Sequence, residues 1–201
     1  MSKMLAIMFA LALAFAYSCG GSGGSGSGGA AGYTPDNAPA TTGTTTLSTA
    51  EQNQVDTYVT SYVMALGGAW SGATSRSAEK YSQCFSEPIG ECSSAQYCVE
   101  ATGSQTSGHV KIWMDEAIDC NGVNIYFWEY DVDYSYSGNE MTVSSAAGAI
   151  DVEYEDMVDG KSIRIFVKWD KNGAVDGWVA ENSVKVAEVG GTTTNPTVTW
   201  E

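Results

Sequence analysis

Four turn dipeptides divide the C-terminal half of this sequence into short β-type runs, and they constrain its fold more than any other feature. Each pairs glycine with Asn or Asp, the residues that suit two-residue hairpin turns. From about Gln96 onward, the runs between them alternate apolar and polar residues, as half-buried strands do. The four dipeptides are Asn121-Gly122, Gly138-Asn139, Asp159-Gly160 and Asn172-Gly173. This pattern predicts an antiparallel β-meander of about six or seven strands, which can curl into a partial barrel.

Helices are predicted before the strands. Residues 48–51 (Ser-Thr-Ala-Glu) match a capping box, in which the serine and glutamate side chains satisfy amides at a helix start. Apolar residues then recur at helical spacing from Val55 to Leu66, and Gly67-Gly68 ends the run. A second, shorter helix is predicted over 77–85. The expected fold class is therefore α+β, with an amphipathic helix or helices followed by the meander.

The hairpin around Asp159-Gly160 allows a register to be predicted. With these two residues in the turn, opposite charges share one face and apolar pairs share the other, which stabilises a hairpin. The predicted pairs are Val158 with Lys161, Glu155 with Arg164, Asp151 with Lys168, Tyr154 with Ile165, and Val152 with Val167. On the preceding strands, one common core requires a break in the alternation, and we predict a bulge or bend at 146–149.

The first eighteen residues have the proportions of a signal peptide. Lys3 precedes an apolar run over 4–17, which is shorter than the roughly 20 residues that a transmembrane helix needs. The sequence Ala-Tyr-Ser-Cys-Gly over 16–20 lies at the end of this run, and small residues such as Ala16 and Ser18 before a cysteine at this place resemble the lipobox of bacterial lipoproteins. An ordinary secretory signal or a short membrane anchor is the alternative.

The resemblance covers residues 1–20 and implies a lipid anchor. It implies that 1–18 are removed as a signal peptide, that the Cys19 thiol receives diacylglyceryl, and that its amino group is acylated with a chain such as palmitate. Two lipid signals hold a protein stably on a membrane. Glycine, not aspartate, follows the cysteine at Gly20. This resembles lipoproteins that are passed to the outer membrane of Gram-negative bacteria.

The other cysteines predict disulfides. The chain has five cysteines, and lipidation of Cys19 leaves an even number in an exported protein. The four candidates are Cys84, Cys92, Cys98 and Cys120, and their three pairings stay open. A zinc site is the alternative, but no Cys-x-x-Cys pair is present and the chain has a single histidine.

Composition predicts a tether between the lipid and the folded domain. Residues 20–32 are almost wholly Gly and Ser, and 33–46 are Thr, Ala, Pro, Gly and polar residues. Neither stretch can bury a core. We therefore predict a lipidated cysteine and flexible tether over 19–46, reaching roughly 30 Å. A single globular domain is predicted over 47–201.

The chain is strongly acidic. Loss of Lys3 with the signal peptide changes the formal net charge from −15 to −16. Such a chain is repelled by nucleic acid and by anionic lipid, so we predict no nucleic-acid partner. Residues 115–159 contain twelve acids and no Lys or Arg. A solvated sheet face is predicted there, with a calcium site as the alternative. Residues 170–176 loosely match a calcium loop, but an Asn-Gly hairpin explains them better.

Six aromatic residues form a candidate ladder along the strands. They are Trp113, Tyr126, Trp128, Tyr130, Tyr134 and Tyr136. Aromatic rings suit buried strands, and we expect these rings to lie mainly in the core. The alternative is an exposed row that stacks on a glycan or anchors a protein partner.

Catalytic patterns are lacking. His109 is the only histidine. Residues 20–24 (Gly-Gly-Ser-Gly-Gly) match the nucleophile-elbow string, but no strand is predicted before them and no helix after them, so the match reflects composition. We predict no catalytic residue, no metal ligand and no cofactor. The expected function is a membrane-anchored cell-envelope lipoprotein with a non-catalytic interaction or structural domain. A glycan- or small-ligand-binding module is the alternative, and a hydrolase using acidic residues is a third.

Overall fold

The computed structural model describes residues 33–67, 71–73, 81–89, 92–104, 106–114, 118–119, 122–137, 140–158 and 160–201. Helix α1 (Thr49–Gly67) precedes the strands of one antiparallel sheet. The strands are β1 (Ser71–Ala73), β2 (Tyr81–Ile89), β3 (Cys92–Gly103), β4 (Ser107–Met114), β5 (Ile118–Asp119), β6 (Val123–Ser137), β7 (Glu140–Val158), β8 (Lys161–Trp169), β9 (Val175–Glu181), β10 (Val184–Thr192) and β11 (Asn195–Trp200).

The strands form a meander. Nine of them lie in the order β11-β10-β9-β8-β7-β6-β4-β3-β2, while β1 pairs with β7 and β5 pairs with β6. Among the described strands, the two ends of this order do not pair with each other, so the sheet is not closed. The predicted α+β meander is confirmed. The predicted number of six or seven strands is too low, because strands also form before Gln96.

Helix α1 begins at the predicted capping box. The Ser48 amide donates to Glu51 Oε2 (2.6 Å), and the Glu51 amide donates to Ser48 Oγ (3.4 Å). The helix packs on β7, β8 and β11 through a buried stripe of Val55, Val59, Tyr62 and Val63. Burial of each such side chain contributes roughly 1.5–3 kcal/mol. Within the described residues, no helix has the length and hydrophobicity to cross a bilayer.

The second helix predicted over 77–85 is wrong where the structure describes this stretch. Residues 81–89 form β2, and residues 77–80 lie outside the described residues. Strand β2 pairs with β3, and Cys84 lies opposite Cys98. Long-range strand pairing therefore outweighs a local helical spacing of apolar residues.

The β7–β8 hairpin has the predicted pair at its turn but a different register beyond it. The observed pairs are Val158 with Lys161, Glu153 with Arg164, Val152 with Ile165, and Ala149 with Lys168. A bulge places residues 155–157 opposite Ser162 alone, so every predicted pair after the first is wrong by two residues. A two-residue shift leaves each side chain on its predicted face. For that reason, the pattern of charges and apolar residues could not distinguish the two registers.

The break in alternation lies outside the predicted bend at 146–149, which pairs regularly with β6. One bulge falls at Tyr126 of β6, and another falls at Ser144 of β7. Ile125 lies in the main core, whereas Tyr126 and Phe127 both reach the opposite face. A single extra residue thus explains why the odd-numbered positions of β6 change from apolar to acidic.

The sheet has an inner face, covered by α1, and an outer face. On β8 the inward residues are Ile163, Ile165, Val167 and Trp169, each at most 2% exposed. They belong to one large apolar cluster shared with the helix. Among the described residues, the outer face has a small apolar cluster around Ala149 and Phe166.

Residues 33–46, here called the N-terminal strap, lie against the sheet. The Tyr33 ring stacks on Phe127 with 3.7 Å between ring centroids, and its hydroxyl donates to Asp151 Oδ2 (3.1 Å). Further contacts join Thr42 to Lys185, and Thr45 and Thr46 to Glu181. This placement differs from the flexible tether expected for 33–46. A few side chains with long-range partners hold the strap, although its composition cannot form a core of its own.

Candidate functional site

The six aromatic residues of the candidate ladder do not form one exposed row. Trp113, Trp128, Tyr130 and Tyr134 are each at most 9% exposed. Tyr136 is half-buried, and Tyr126 is 38% exposed. Trp128 and Tyr130 join the inner core, while Trp113 lies on the outer face opposite Glu129. Most of these rings therefore pack inside the protein.

Tyr126, the exposed ring, is engaged by neighbouring charges. The Arg164 guanidinium lies over the ring, 4.4 Å from its centroid. The Tyr126 hydroxyl donates a hydrogen bond to Glu153. This bond, together with burial, raises the pKa of Tyr126 to about 12. Both its ring face and its hydroxyl have intramolecular partners, so Tyr126 is not a free stacking surface.

One disulfide joins two of the four candidate cysteines, Cys84 and Cys98. It crosses from β2 to β3 at one edge of the sheet. Cys92 lies in β3, and Cys19 and Cys120 lie outside the described residues. Of the three open pairings, one contains Cys84–Cys98, so a second bond between Cys92 and Cys120 stays a prediction.

The acidic region is partly buried, which differs from the solvated face predicted. Asp151 is 0% exposed and Glu129 is 1% exposed. Arg164 Nη2 lies 2.7 Å from Asp151 Oδ2, and Lys111 Nζ lies 3.0 Å from Glu129 Oε2. A carboxylate tolerates such burial only when a cation or hydrogen bonds compensate it. Every described Lys and Arg pairs with an acid: Lys111, Lys161, Arg164, Lys168, Lys171 and Lys185.

Residues 170–176 form a hairpin. Asp170 Oδ1 accepts hydrogen bonds from the amides of Ala174 and Asn172, each at 2.9 Å, and these bonds lower the pKa of Asp170. Gly173 takes a φ of 81°, which favours glycine at this turn. In the part of the chain that the structure describes, no group of three or more His, Cys, Asp or Glu is arranged to hold a metal ion.

The candidate site is a shallow cleft at the β3–β4 end of the sheet, here called the His109 cleft. Its volume is about 570 Å³. It is lined by Thr102, Gly103, Ser104, Ser107, Gly108, His109, Asp133, Tyr134 and Ser135. In the register, His109 lies between Thr102 and Asp133, and Ser107 faces Ser135. Because alternate residues of a strand share a face, the Ser107 and His109 side chains lie on the same face.

His109 is oriented by a network of charges. Its Nδ1 lies 3.0 Å from Asp133 Oδ1 and 3.5 Å from Asp131 Oδ1. Asp133 Oδ2 accepts hydrogen bonds from Ser145 Oγ (2.8 Å) and Lys171 Nζ (2.9 Å). Burial acts to raise the pKa of Asp133, but the hydrogen bonds from Lys171, Ser145 and His109 lower it to about 2. The ionised Asp133 favours a proton on Nδ1, which leaves Nε2 as an acceptor when the ring is neutral.

Two paired glycines border the cleft. Gly103 faces Gly108, and Tyr134 packs across both. A Cβ atom on Gly108 would lie 2.2 Å from the Tyr134 hydroxyl oxygen and 2.7 Å from the Thr102 carbonyl oxygen. Glycine is therefore required for this close packing, because Tyr134 fills the space in which side chains at Gly103 and Gly108 would lie.

The cleft offers hydrogen-bonding groups without a protein partner. Within the described residues, the hydroxyls of Thr102, Ser107 and Ser135 and the Nε2 of His109 make no hydrogen bond. The sequence shows His109 as the only histidine, but it does not group this residue with Asp133 and Ser107. The alternation of Asp131 and Asp133 indicates two carboxylates on one face of a strand, but only the pairing of β4 with β6 places them beside His109.

Comparisons with protein-family models, with curated proteins and with solved structures found no match to this chain. The functional conclusion therefore depends on the sequence and on the geometry of the site.

Proposed function

We propose that this chain is a lipid-anchored protein of the cell envelope whose β-rich domain has a non-catalytic binding or structural role. The observation that carries the proposal is the lipobox-like sequence that ends at Cys19. Acyl chains on Cys19 hold the N-terminus in a membrane. Gly20 after the cysteine favours the outer membrane of a Gram-negative bacterium. The net charge of −16 without the signal peptide argues against a nucleic-acid partner.

The Cys84–Cys98 disulfide supports export. Disulfides persist in oxidising compartments such as the periplasm and are rare in the cytosol. The bond closes a loop with a sequence separation of 14 residues. A loop of this size contributes about 3 kcal/mol of stability in the chain-entropy model. A domain stabilised by a disulfide is suited to an oxidising compartment outside the cytosol, which is where the signal peptide would direct it.

The strap supports a short connection between membrane and domain. Thirteen residues separate Cys19 from Tyr33, the first described residue in contact with the sheet. A Gly/Ser-rich chain of this length has a typical reach of roughly 20 Å. That is less than the reach of the longer tether over 19–46. The proposed anchor therefore holds the domain close to the lipid surface, with the Tyr33 side nearest to it.

Labelling with radioactive palmitate in the native host tests the anchor. We expect wild-type protein to incorporate the label and to sediment with membranes. Cys19→Ser should lose both properties, while Ser22→Ala, a neighbouring small-residue control, should keep them. Gly20→Asp should keep the label but move the protein from the outer to the inner membrane. Unchanged processing and membrane retention in Cys19→Ser would contradict the proposal.

A hydrolase is a second candidate because of one observation. His109 is hydrogen-bonded to an ionised Asp133, and Ser107 and Ser135 belong to the same cleft. A His–carboxylate pair beside a serine can activate a nucleophile. Turnover of p-nitrophenyl acetate that disappears in both His109→Ala and Ser107→Ala would favour this candidate. Turnover no faster than in His109→Ala would support the non-catalytic role.

A further inference from the structure

We propose that the His109 cleft binds an uncharged, hydroxyl-rich ligand of the saccharide class. This inference rests on the proposed non-catalytic binding role and names the class of ligand. It places the ligand in the His109 cleft and not along the aromatic ladder, most of which is buried.

The cleft combines hydrogen-bonding groups of the kind that sugar hydroxyls need. Thr102, Ser107 and Ser135 each provide a hydroxyl, which both donates and accepts. His109 adds an acceptor at Nε2, because Asp133 engages Nδ1 at 3.0 Å. Sugar hydroxyls also donate and accept, so a ligand of this class can satisfy all of these groups together.

The charges of the cleft disfavour ionic ligands. An anion would approach the carboxylates of Asp131 and Asp133 in a chain of formal net charge −15. A cation would need a free carboxylate, but Asp133 is already engaged by His109, Ser145 and Lys171. An uncharged polar ligand avoids both conflicts.

The cleft is preorganised. The Ser104 amide donates to the Ser107 carbonyl (2.7 Å), and Ser104 Oγ accepts from the amides of Thr106 and Ser107 at 3.2 Å each. These bonds hold the β3–β4 turn at its rim, and Lys171 and Ser145 hold Asp133 behind His109. Groups that are fixed before binding lose little entropy when a ligand arrives.

The single histidine of the chain makes a direct test available, because its ring protons give one set of NMR signals. The full chain in detergent micelles is titrated with cellotetraose, maltotetraose and chitotetraose as neutral probes, and with tetragalacturonate as the anionic probe. We expect at least one neutral probe to shift the His109 Hε1 signal in a saturable way. A few hydrogen bonds on a shallow surface imply a Kd of about 0.1–1 mM.

Variants locate the binding site. Ser107→Ala combined with Ser135→Ala should weaken binding of the neutral probe about tenfold. Ser61→Ala, a matched hydroxyl removal on the exposed side of α1, should leave binding unchanged. Melting curves that match wild type exclude misfolding as the cause. Equal binding by the double variant, a stronger response to tetragalacturonate, or no His109 shift with any neutral probe would each overturn the proposal.

The same titration separates this inference from the proposed function. New reducing ends appearing during incubation would overturn the non-catalytic role while supporting the ligand class. Palmitate labelling and membrane retention do not depend on the cleft. If they persist while every neutral probe fails to shift His109, the anchor stands and only the ligand class is overturned.

Discussion

The two faces of the sheet bury their side chains by different means. On the inner face, apolar residues of β7 and β8 pack against α1 in one continuous cluster. On the outer face, burial depends on matched charges, as in the pair of Arg164 with Asp151, and on the N-terminal strap. Apolar burial needs only the right pattern, because hydrophobic attraction is not directional. Charge burial needs particular partners, because an unpaired buried charge is costly.

This difference predicts how the two faces tolerate substitution. An inner-face change removes packing in proportion to the volume lost. An outer-face change matters most where it leaves a buried group without its partner or removes a contact of the N-terminal strap. The same contrast fits the position of the candidate cleft, because among the described residues the hydroxyls without a protein partner at the β3–β4 end lie on the outer face.

The largest effect is expected from Trp169→Ala on the inner face. Trp169 is 2% exposed, and it packs so closely on Gly148 that a Cβ there would lie 2.3 Å from its Cζ2 atom. Its loss leaves a large cavity, and we expect a destabilisation of about 3–5 kcal/mol in urea unfolding. Met64→Ala, at a residue 52% exposed on α1, is the control and should change stability by less than about 0.5 kcal/mol. Equal losses in both variants would show that the inner cluster does not carry the stability.

The next effect is expected from Arg164→Met on the outer face. It leaves Asp151, which is 0% exposed, without its cation, so we expect a loss of about 3 kcal/mol. Lys168→Met breaks a pair with Asp176, a side chain 72% exposed, and should cost less than about 1 kcal/mol. Adding Asp151→Leu to Arg164→Met should restore much of the loss. If Arg164→Met lowers the free energy of unfolding no more than Lys168→Met does, matched charges do not account for burial on the outer face.

A smaller effect is expected from Tyr33→Ala in the strap. The variant removes the stack on Phe127, and we expect a loss of about 1–2 kcal/mol. Amide hydrogen exchange should become faster within the strap but not in β8. Tyr33→Phe keeps the ring and removes only the bond to Asp151, which Arg164 still binds, so it should resemble wild type. Unchanged exchange in Tyr33→Ala would mean that the strap is held by its later contacts alone.

The smallest effect is expected from Asp133→Asn at the cleft. The pKa of Asp133 is lowered from 3.8 to about 2, so on acidification the unfolded chain binds this proton first. The stabilisation by the ionised group is therefore fully present above pH 3.8 and is lost as the pH falls through about 2. Because the side chain is 41% exposed, solvent screening limits the difference to less than about 1 kcal/mol. Unfolding of wild type and variant at pH 6 and pH 2 checks whether this difference shrinks in acid.

Local chemistry was enough to predict several parts of the fold. The capping box, α1, the hairpin at Asn172-Gly173 and the antiparallel meander all follow from residue type and spacing. A further two-residue turn at Asn182-Ser183, with φ of 48° and 68°, was missed because it lacks the usual glycine. The predicted turn residues Asn121, Gly138, Asn139 and Asp159 lie outside the described residues.

The candidate site could be predicted only in fragments. His109 was visible as a lone histidine, and Asp133 as one acid among many, but nothing local joined them. The contact between them depends on β4 pairing with β6 and skipping β5. The positions of the bulges also could not be predicted from local sequence. The bulge at Tyr126 decides which aromatic rings enter the core.

By itself, the sequence determined the acidic charge, the α+β class and the face on which most strand residues lie. These properties depend on residues that are close along the chain, where spacing and intrinsic preference act directly. Only the tertiary structure decided the β7–β8 register, the position of residues 33–46 against the sheet, the burial of Asp151 and the His109 cleft. Each of these depends on contacts between residues that are distant along the chain. Alternative strand pairings that leave every side chain on the same face have the same sequence pattern, and they differ only in how the side chains pack.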